Sequence, residues 1–277
     1  MRNVVISCLI LPILLACQSA KTSKKPIISV TIEPLRYFTE QIAGNRFDVR
    51  SIVPTGSSPE TYEPTPRQMV ELSQSPIYIK VGKIGFERTW MKRLQANAPK
   101  MKVVDSSNGI RYIQSNPTIE DPHTWMSCNN ARIIAYNIYH ALLQQVKSEA
   151  DKAYFKKRYN ALICQIDALD KAIKKEVYHS TYRSFVIYHP TLTYFAHDYG
   201  FQQLSIEEEG REPSAGQMEA LVRTAKAKKV KTLFIQREFS PRGTIAIRNA
   251  THAKAIEINP LDYNWKQQML HIAHSLN

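Results

Sequence analysis

Residues 151–179 read DKAYFKKRYNALICQIDALDKAIKKEVYH, and this stretch decides the fold. It contains no Gly or Pro. Its apolar residues recur at helical spacing on one face, at Tyr154, Leu162, Ile166, Leu169 and Ile173. A continuous helix of about 27 residues would be about 40 Å long. Such a helix either runs along two lobes as a stiff connector or belongs to a helical hairpin packed on one domain.

Strands and helices alternate on both sides of this segment. Before it, strands are predicted at Ile27–Ile32, Val49–Pro54, Ile77–Val81 and Lys102–Asp105, and helices at Leu35–Ala43, Pro66–Ser73 and Phe86–Ala96. After it, strands are predicted at Ser184–Tyr188, Gln203–Ile206, Thr232–Gln236 and Ala255–Ile258, and helices at Leu192–Tyr199, Ser214–Lys226, Pro241–Asn249 and Asn264–Leu276. Alternation of this kind predicts parallel sheets covered by helices. The predicted fold class is therefore α/β, with two lobes, each a parallel four-stranded sheet flanked by helices, joined by one long rigid backbone helix.

The start of the chain has the features of an export signal. Arg2 precedes thirteen uncharged residues from Val4 to Ala16, which are too few for a membrane span of about 20 residues. Leu14-Leu15-Ala16-Cys17 resembles a bacterial lipobox, in which the Cys is lipidated and becomes the first mature residue. An ordinary signal with an incidental Cys is the alternative. We expect an exported lipoprotein, periplasmic or at the cell surface, anchored at Cys17.

These patterns divide the chain into five segments. We predict a signal peptide at 1–16, a lipidated tether at 17–26, an N-terminal lobe at 27–150, a connecting helix at 151–179 and a C-terminal lobe at 180–277. Hydrophobic residues make up 43% and charged residues 22%, as in folded globular proteins.

The chain is basic, with a formal net charge of +13 at pH 7. The positive residues are scattered, and the densest group is Lys226, Lys228, Lys229 and Lys231 at a predicted helix end. Lysines there complement the helix dipole, and no aromatic residues alternate with them as in single-strand nucleic-acid sites. No nucleic-acid partner is expected, whereas contact with anionic lipid stays open. Cys128 and Cys164 either form a disulfide or are two buried free thiols.

Polar residues follow four predicted strands or loops that should meet in one cleft. Glu60 comes after the strand that ends at Pro54, and His123 lies in a loop before the first connector helix. His189 and Asn259 each directly follow a strand. Because ligands bind outside the carboxyl ends of parallel strands, a site between the lobes could use all four residues. A carboxylate with two imidazoles suits Zn²⁺, Mn²⁺ or Fe²⁺.

Several ordered motifs resemble one family. They are Val53-Pro54 through Tyr62-Glu63-Pro64-Thr65-Pro66, Gly82 with Phe86-Glu87, Asp121-Pro122-His123-Thr124-Trp125, Tyr188-His189-Pro190, Glu209-Gly210-Arg211-Glu212-Pro213-Ser214 and Asn259-Pro260-Leu261. From about Ile28 to the C-terminus, the chain resembles the metal-binding lipoproteins of zinc and manganese ABC transporters, the TroA-like or cluster A-I solute-binding proteins. The resemblance implies a monomer without enzymatic activity. It would hold a divalent metal between two lobes and deliver it to an ABC permease in the cytoplasmic membrane.

The resemblance also implies a ligand set. Family ligands are commonly His, His, His or Glu, and Asp, and His123 and His189 match the second and third positions. Glu60 stands where the first His is usual, and Asn259 stands where Asp is usual; Glu257 or Asp262 are alternatives to Asn259. Residues 107–122 also lack the His-rich loop of many zinc-specific members. An oxygen-richer site shifts the expected metal toward Mn²⁺ or Fe²⁺, while two imidazoles keep Zn²⁺ open.

Two other functions compete with metal capture. A member that has lost tight metal binding would serve as a surface interaction or adhesion protein, a reading motivated by Glu60 and Asn259. A metal-dependent hydrolase would need an open coordination position and a general base, for which Glu63 is the nearest candidate.

Overall fold

The computed structural model describes residues 25–116, 119–207, 211–236 and 242–277. The first lobe contains β1 (Ile27–Val30), α1 (Glu33–Ala43), β2 (Asp48–Ser51), α2 (Pro66–Ser73), β3 (Ile77–Lys80), α3 (Gly85–Asn97) and β4 (Lys102–Asp105). A short hairpin of β5 (Gln114–Asn116) and β6 (Ile119–Glu120), a 3₁₀ turn (Thr124–Met126), α4 (Cys128–Leu143) and α5 (Glu149–Val177) follow. The second lobe contains β7 (Ser184–Ile187), α6 (Thr193–Tyr199), β8 (Gln202–Ser205), α7 (Ala215–Ala227), β9 (Thr232–Gln236), α8 (Arg242–Thr251), β10 (Lys254–Ile258) and α9 (Trp265–His274).

Each lobe is built on a four-stranded parallel sheet. The strand orders are β2-β1-β3-β4 in the first sheet and β10-β9-β7-β8 in the second. In both sheets the connections pass through helices, as parallel pairing requires. The predicted α/β class with two parallel four-stranded sheets is confirmed. The β5–β6 hairpin was not predicted, because its strands are only three and two residues long.

The long helix α5 is continuous over 29 residues. Its N-cap is Ser148, whose side chain accepts the backbone N–H of Asp151. The predicted apolar face is buried at Leu162, Ile166 and Ile173. Because α5 packs against α1, α4 and α9, it touches elements of both lobes, and the reading as a connector is confirmed.

The hydrophobic core is shared between the lobes. One cluster of buried side chains extends from Ile28 and Phe38 in the first lobe through Phe155 of α5 to Phe185 and Trp265 in the second. A smaller cluster lies in the second lobe alone. Separating the lobes would expose part of the shared cluster, so packing as well as the helix makes the connection rigid.

Some predictions are corrected or lie outside the described residues. Cys128 is buried and Cys164 is exposed, and both are free thiols, so the disulfide and the burial of Cys164 are wrong. The predicted signal peptide and Cys17 fall outside the described ranges, as do Glu209, Gly210 and Pro241 of the predicted motifs and helices. Within the described ranges, no helix combines the length and apolarity needed to cross a membrane.

Candidate metal centre

A small cavity lies between the lobes, at the carboxyl ends of the parallel strands. Its volume is about 30 Å³. It is lined by Ser58, Pro59, Glu60, His123, Trp125, His189, Thr191, Gln236, Pro260 and Leu261. A cavity needs roughly 10–15 Å³ to hold one water molecule. The space therefore suits a single ion and its water rather than an organic solute. Three of the four predicted site residues, Glu60, His123 and His189, therefore line one cavity.

The two imidazoles form the centre of this cavity. The ring centroids of His123 and His189 are 5.2 Å apart, and the ring planes are inclined at 78°. Two imidazoles bound to one tetrahedral ion at about 2.1 Å would have ring centroids about 5 Å apart. The spacing of the two ring centroids is therefore compatible with two ligands of one ion.

His123 is oriented by a buried carboxylate. Its Nδ1 lies 2.8 Å from Oδ1 of Asp121, which also accepts the backbone N–H of His123 at 2.8 Å. Burial opposes the charged form of Asp121, but the charge and hydrogen bonds of His123 outweigh it, so the pKa of Asp121 lies below its ordinary value. Tyr194 of the second lobe fixes the loop by donating its hydroxyl to the Asp121 carbonyl at 2.7 Å. The indole of Trp125 completes the surroundings, with its ring centroid 5.3 Å from that of His123 and the ring planes inclined at 61°.

His189 is held in the same way by the second lobe. Its Nδ1 lies 3.2 Å from Oε1 of Glu207, a buried carboxylate two residues beyond the end of β8. Gln236, at the end of β9, accepts the His189 N–H and donates to the His189 carbonyl, both at 3.0 Å. Carboxylate contact at one ring nitrogen is the usual arrangement of imidazoles that bind a metal through the other.

The loop that carries Glu60 is fixed by hydrogen bonds to backbone carbonyls. Phe86 N–H donates to the Pro59 carbonyl at 2.7 Å, and Gln68 donates to the carbonyl of Ile52 at 2.7 Å. Thr65 and Gln68 form a capping box at the start of α2. The Glu60 carboxylate, however, is directed to α3, where its Oε2 accepts the Gly85 N–H at 3.1 Å. Across the part of the chain that the structure describes, no three His, Cys, Asp or Glu side chains converge as they stand to hold an ion.

The fourth predicted residue, Asn259, is not brought to the cavity wall. Its Oδ1 accepts the Leu261 N–H at 3.0 Å, and its neighbours Pro260 and Leu261 line the cavity instead. Neither alternative lies on the wall: Asp262 accepts the Asn264 N–H at 2.7 Å, and Glu257 is exposed on β10. Glu63 is exposed as well, and it does not line the cavity where a base would act.

Three residues at the site were not predicted from the sequence. Asp121 stands two residues before His123, a spacing typical of a side chain that caps its own turn. Glu207 and Gln236 stand at the carboxyl ends of β8 and β9. The strand-end rule that indicated His189 could have indicated both of them.

The lobes meet through two tryptophans beside the cavity. Trp125 donates its indole N–H to the Pro260 carbonyl, and Trp265 donates its own to the Trp125 carbonyl, both at 2.8 Å. Both indoles are almost completely buried. The His123 loop is thereby tied to the loop that follows β10.

Comparison with known proteins adds an independent finding. The chain is 30% identical to the metal ABC transporter substrate-binding lipoprotein SloC of Streptococcus mutans, over 85% of this chain and 81% of that protein. It is 29% identical to the manganese ABC transporter substrate-binding lipoprotein PsaA of Streptococcus anginosus, over 83% of this chain and 79% of that protein.

Solved structures agree with these relatives. A crystal structure of ZnuA has a TM-score of 0.86 at 31% identity, covering 91% of this chain and 97% of that chain. A ZnuA deletion mutant with zinc bound has a TM-score of 0.85 at 30% identity, covering 91% and 96%. The family described as zinc-uptake complex component A, periplasmic, matches residues 28–274. The resemblance drawn from the motifs is thus confirmed, and the chain belongs to the periplasmic zinc-uptake component (ZnuA) family.

Proposed function

We propose that this protein captures a divalent metal ion between its lobes, outside the cytoplasmic membrane, and delivers it to an ABC permease. The metal ion is the cargo. Relatives that are named as substrate-binding lipoproteins of metal ABC transporters support the proposal. The permease, the lipid anchor at Cys17 and a monomeric state belong to the proposal too.

One observation carries this function. Two imidazoles lie at the spacing of two ligands on one ion, and each is backed by a buried carboxylate, around a cavity of about 30 Å³. An organic solute does not fit this space, and neither does an ester or peptide beside an ion. The arrangement therefore supports binding of a bare cation and gives no support to a hydrolase.

We propose Glu60, His123 and His189 as ligands, with Asn259 as a weak fourth. Glu60 would have to leave the Gly85 N–H, and Asn259 would have to leave the Leu261 N–H. Asn supplies only a neutral carbonyl oxygen, so the site carries less negative charge than one with Asp. Oxygen donors favour Mn²⁺ or Fe²⁺, and the imidazole pair retains affinity for Zn²⁺.

Metal titration of purified protein tests the proposal. Wild type should bind one equivalent of Mn²⁺ or Zn²⁺, and His123→Ala and His189→Ala should each weaken binding at least about 100-fold, since even outer-shell changes cost 10–100-fold. His197→Ala is the matched control, because that ring is 72% exposed and lies outside the cavity. Absence of binding in wild type, with no change in the variants, would remove the basis for metal capture.

A second candidate is a member that has lost tight metal binding and acts as a surface interaction protein. It is favoured by the present directions of Glu60 and Asn259, whose side chains are bonded to backbone N–H groups rather than turned to the imidazoles. The double variant Glu60→His with Asn259→Asp decides between the two. If it binds Zn²⁺ strongly while wild type does not, the second candidate replaces the first.

A further inference from the structure

The carboxylate of Glu60 lies at the N-terminus of α3. Its Oε2 accepts the N–H of Gly85, the first residue of that helix, at 3.1 Å. The N-cap residue of α3, Ile84, supplies no side-chain hydrogen bond to the helix. Since the first N–H groups of a helix lack partners within it, Glu60 acts as the side-chain cap from a distant loop.

Gly85 makes this contact possible. A Cβ at that position would lie 2.3 Å from Oε2 of Glu60 and 3.0 Å from its Cα and carbonyl oxygen. Real Cβ atoms do not approach so closely, so any other residue would displace the carboxylate or the loop. The close approach of loop and helix is therefore built into the chain.

A cation on the same helix shares the carboxylate. Nη2 of Arg88 lies 3.5 Å from Oε2 of Glu60, while Nη1 of Arg88 donates to the Lys83 carbonyl at 2.5 Å. The Arg88 side chain is 61% exposed and that of Glu60 is 30% exposed. A guanidinium in this position offsets the negative charge that a bound metal ion would use.

We propose that α3 holds Glu60 as a reversible cap, and that Arg88 sets the metal affinity of the site by competing with the ion for this carboxylate. The inference rests on the proposed function and identifies Arg88 as an affinity-determining residue that does not touch the metal. Metal binding then transfers Glu60 from the helix end to the imidazole pair.

Titrating Mn²⁺ and Zn²⁺ into wild type and Arg88→Gln by calorimetry tests the competition. The variant should bind about two- to fivefold more tightly at low ionic strength, the range expected for losing one exposed ion pair. The difference should shrink at high salt, because exposed charges are screened. Lys92→Gln removes the same charge from the same exposed helix surface and should change little. Equal or weaker binding by Arg88→Gln would overturn the competition.

Hydrogen exchange in the metal-free protein tests the cap separately. Glu60→Ala should speed exchange of the Gly85 amide several-fold, and Glu63→Ala, in the same loop, should not. Adding metal to wild type should also speed that exchange. If wild type binds no metal, the proposed function and the competition fail together, whereas the cap is still judged by the two metal-free variants. Unchanged exchange of Gly85 in Glu60→Ala would refute the cap.

Discussion

Glu87 is a buried carboxylic acid in the first turn of α3, and it should make the stability of the protein depend on pH. Its exposed fraction is only 3%. Oε1 of Glu87 accepts hydrogen bonds from the Thr31 hydroxyl and the Val81 N–H, and its Oε2 accepts one from the Gly82 N–H, all at 2.6 Å. Burial opposes the charged form more strongly than these donors favour it, and the pKa of Glu87 rises from 4.5 to about 7.

The raised pKa fixes the sign and size of the effect. Between about pH 4.5 and pH 7 the native protein keeps a proton that the unfolded chain releases, so the free energy of unfolding falls as pH rises through this window. The total fall is about 3 kcal/mol, at 1.36 kcal/mol for each unit of pKa difference. Above the window both states are ionised, and this contribution no longer changes.

Urea unfolding of metal-free wild type and Glu87→Gln, measured from pH 4 to pH 8, isolates the effect. The difference in unfolding free energy between the two proteins cancels the other titrating groups. Relative to Glu87→Gln, wild type should lose about 3 kcal/mol of unfolding free energy as pH rises to 7, and the difference should then become constant. Gln places an amide N–H₂ against backbone donors. This destabilises the variant by an amount that does not change with pH, because the amide does not titrate. A difference independent of pH would refute the reasoning, because Glu87 would then have the same pKa in the native and unfolded states.

Three further predictions concern the site and the fold. Asp121→Asn and Glu207→Gln should each weaken metal binding about 10–100-fold, since they orient the ligating rings; calorimetry at constant pH checks this, and unchanged affinity would exclude that role. Phe155→Ala should destabilise the protein by about 3–5 kcal/mol in urea unfolding, because this side chain of α5 is fully buried in the shared core. A loss under about 1 kcal/mol would show that Phe155 contributes little to the stability of that core. Gly44→Ala should cost about 1–3 kcal/mol, because its φ of 57° with a ψ of −127° is a backbone conformation that L residues avoid. A clash with the Tyr154 hydroxyl, 2.2 Å from the new Cβ, adds to this cost. A Tyr154→Phe background should relieve the closest contact and leave those with the ring Cζ and with Nε of Arg158, both 3.0 Å from the new Cβ. An equal cost in both backgrounds would show that the hydroxyl contact contributes nothing.

The sequence predicts most of the architecture because the architecture follows from periodicity. The spacing of Leu162, Ile166 and Ile173 marks the buried face of α5. The same spacing also predicts that Cys164 is exposed. Two residues after Leu162, a helical side chain points away from that face, so its exposure follows from the same 3.6-residue period. The alternative of two buried free thiols did not take that direction into account.

The site is predicted less completely, for a physical reason. His123 and His189 follow from the rule that parallel strands direct their carboxyl ends to one cleft. That rule does not predict the hydrogen bond between Glu60 and Gly85. The two residues are 25 positions apart, and the bond depends on how closely their backbones approach. Asn259 likewise satisfies its own loop, a local hydrogen bond that residue type alone does not distinguish from ligation.

The indole of Trp125 gives the molecule an intrinsic fluorescent probe. Its ring centroid lies 5.3 Å from that of His123, and its N–H donates a hydrogen bond to the Pro260 carbonyl of the other lobe. Tryptophan emission responds to the charge and hydrogen bonding around the ring, and both would change when the neighbouring imidazole binds a cation. The capture and release of cargo could therefore be followed in real time by stopped-flow emission, without attaching a dye.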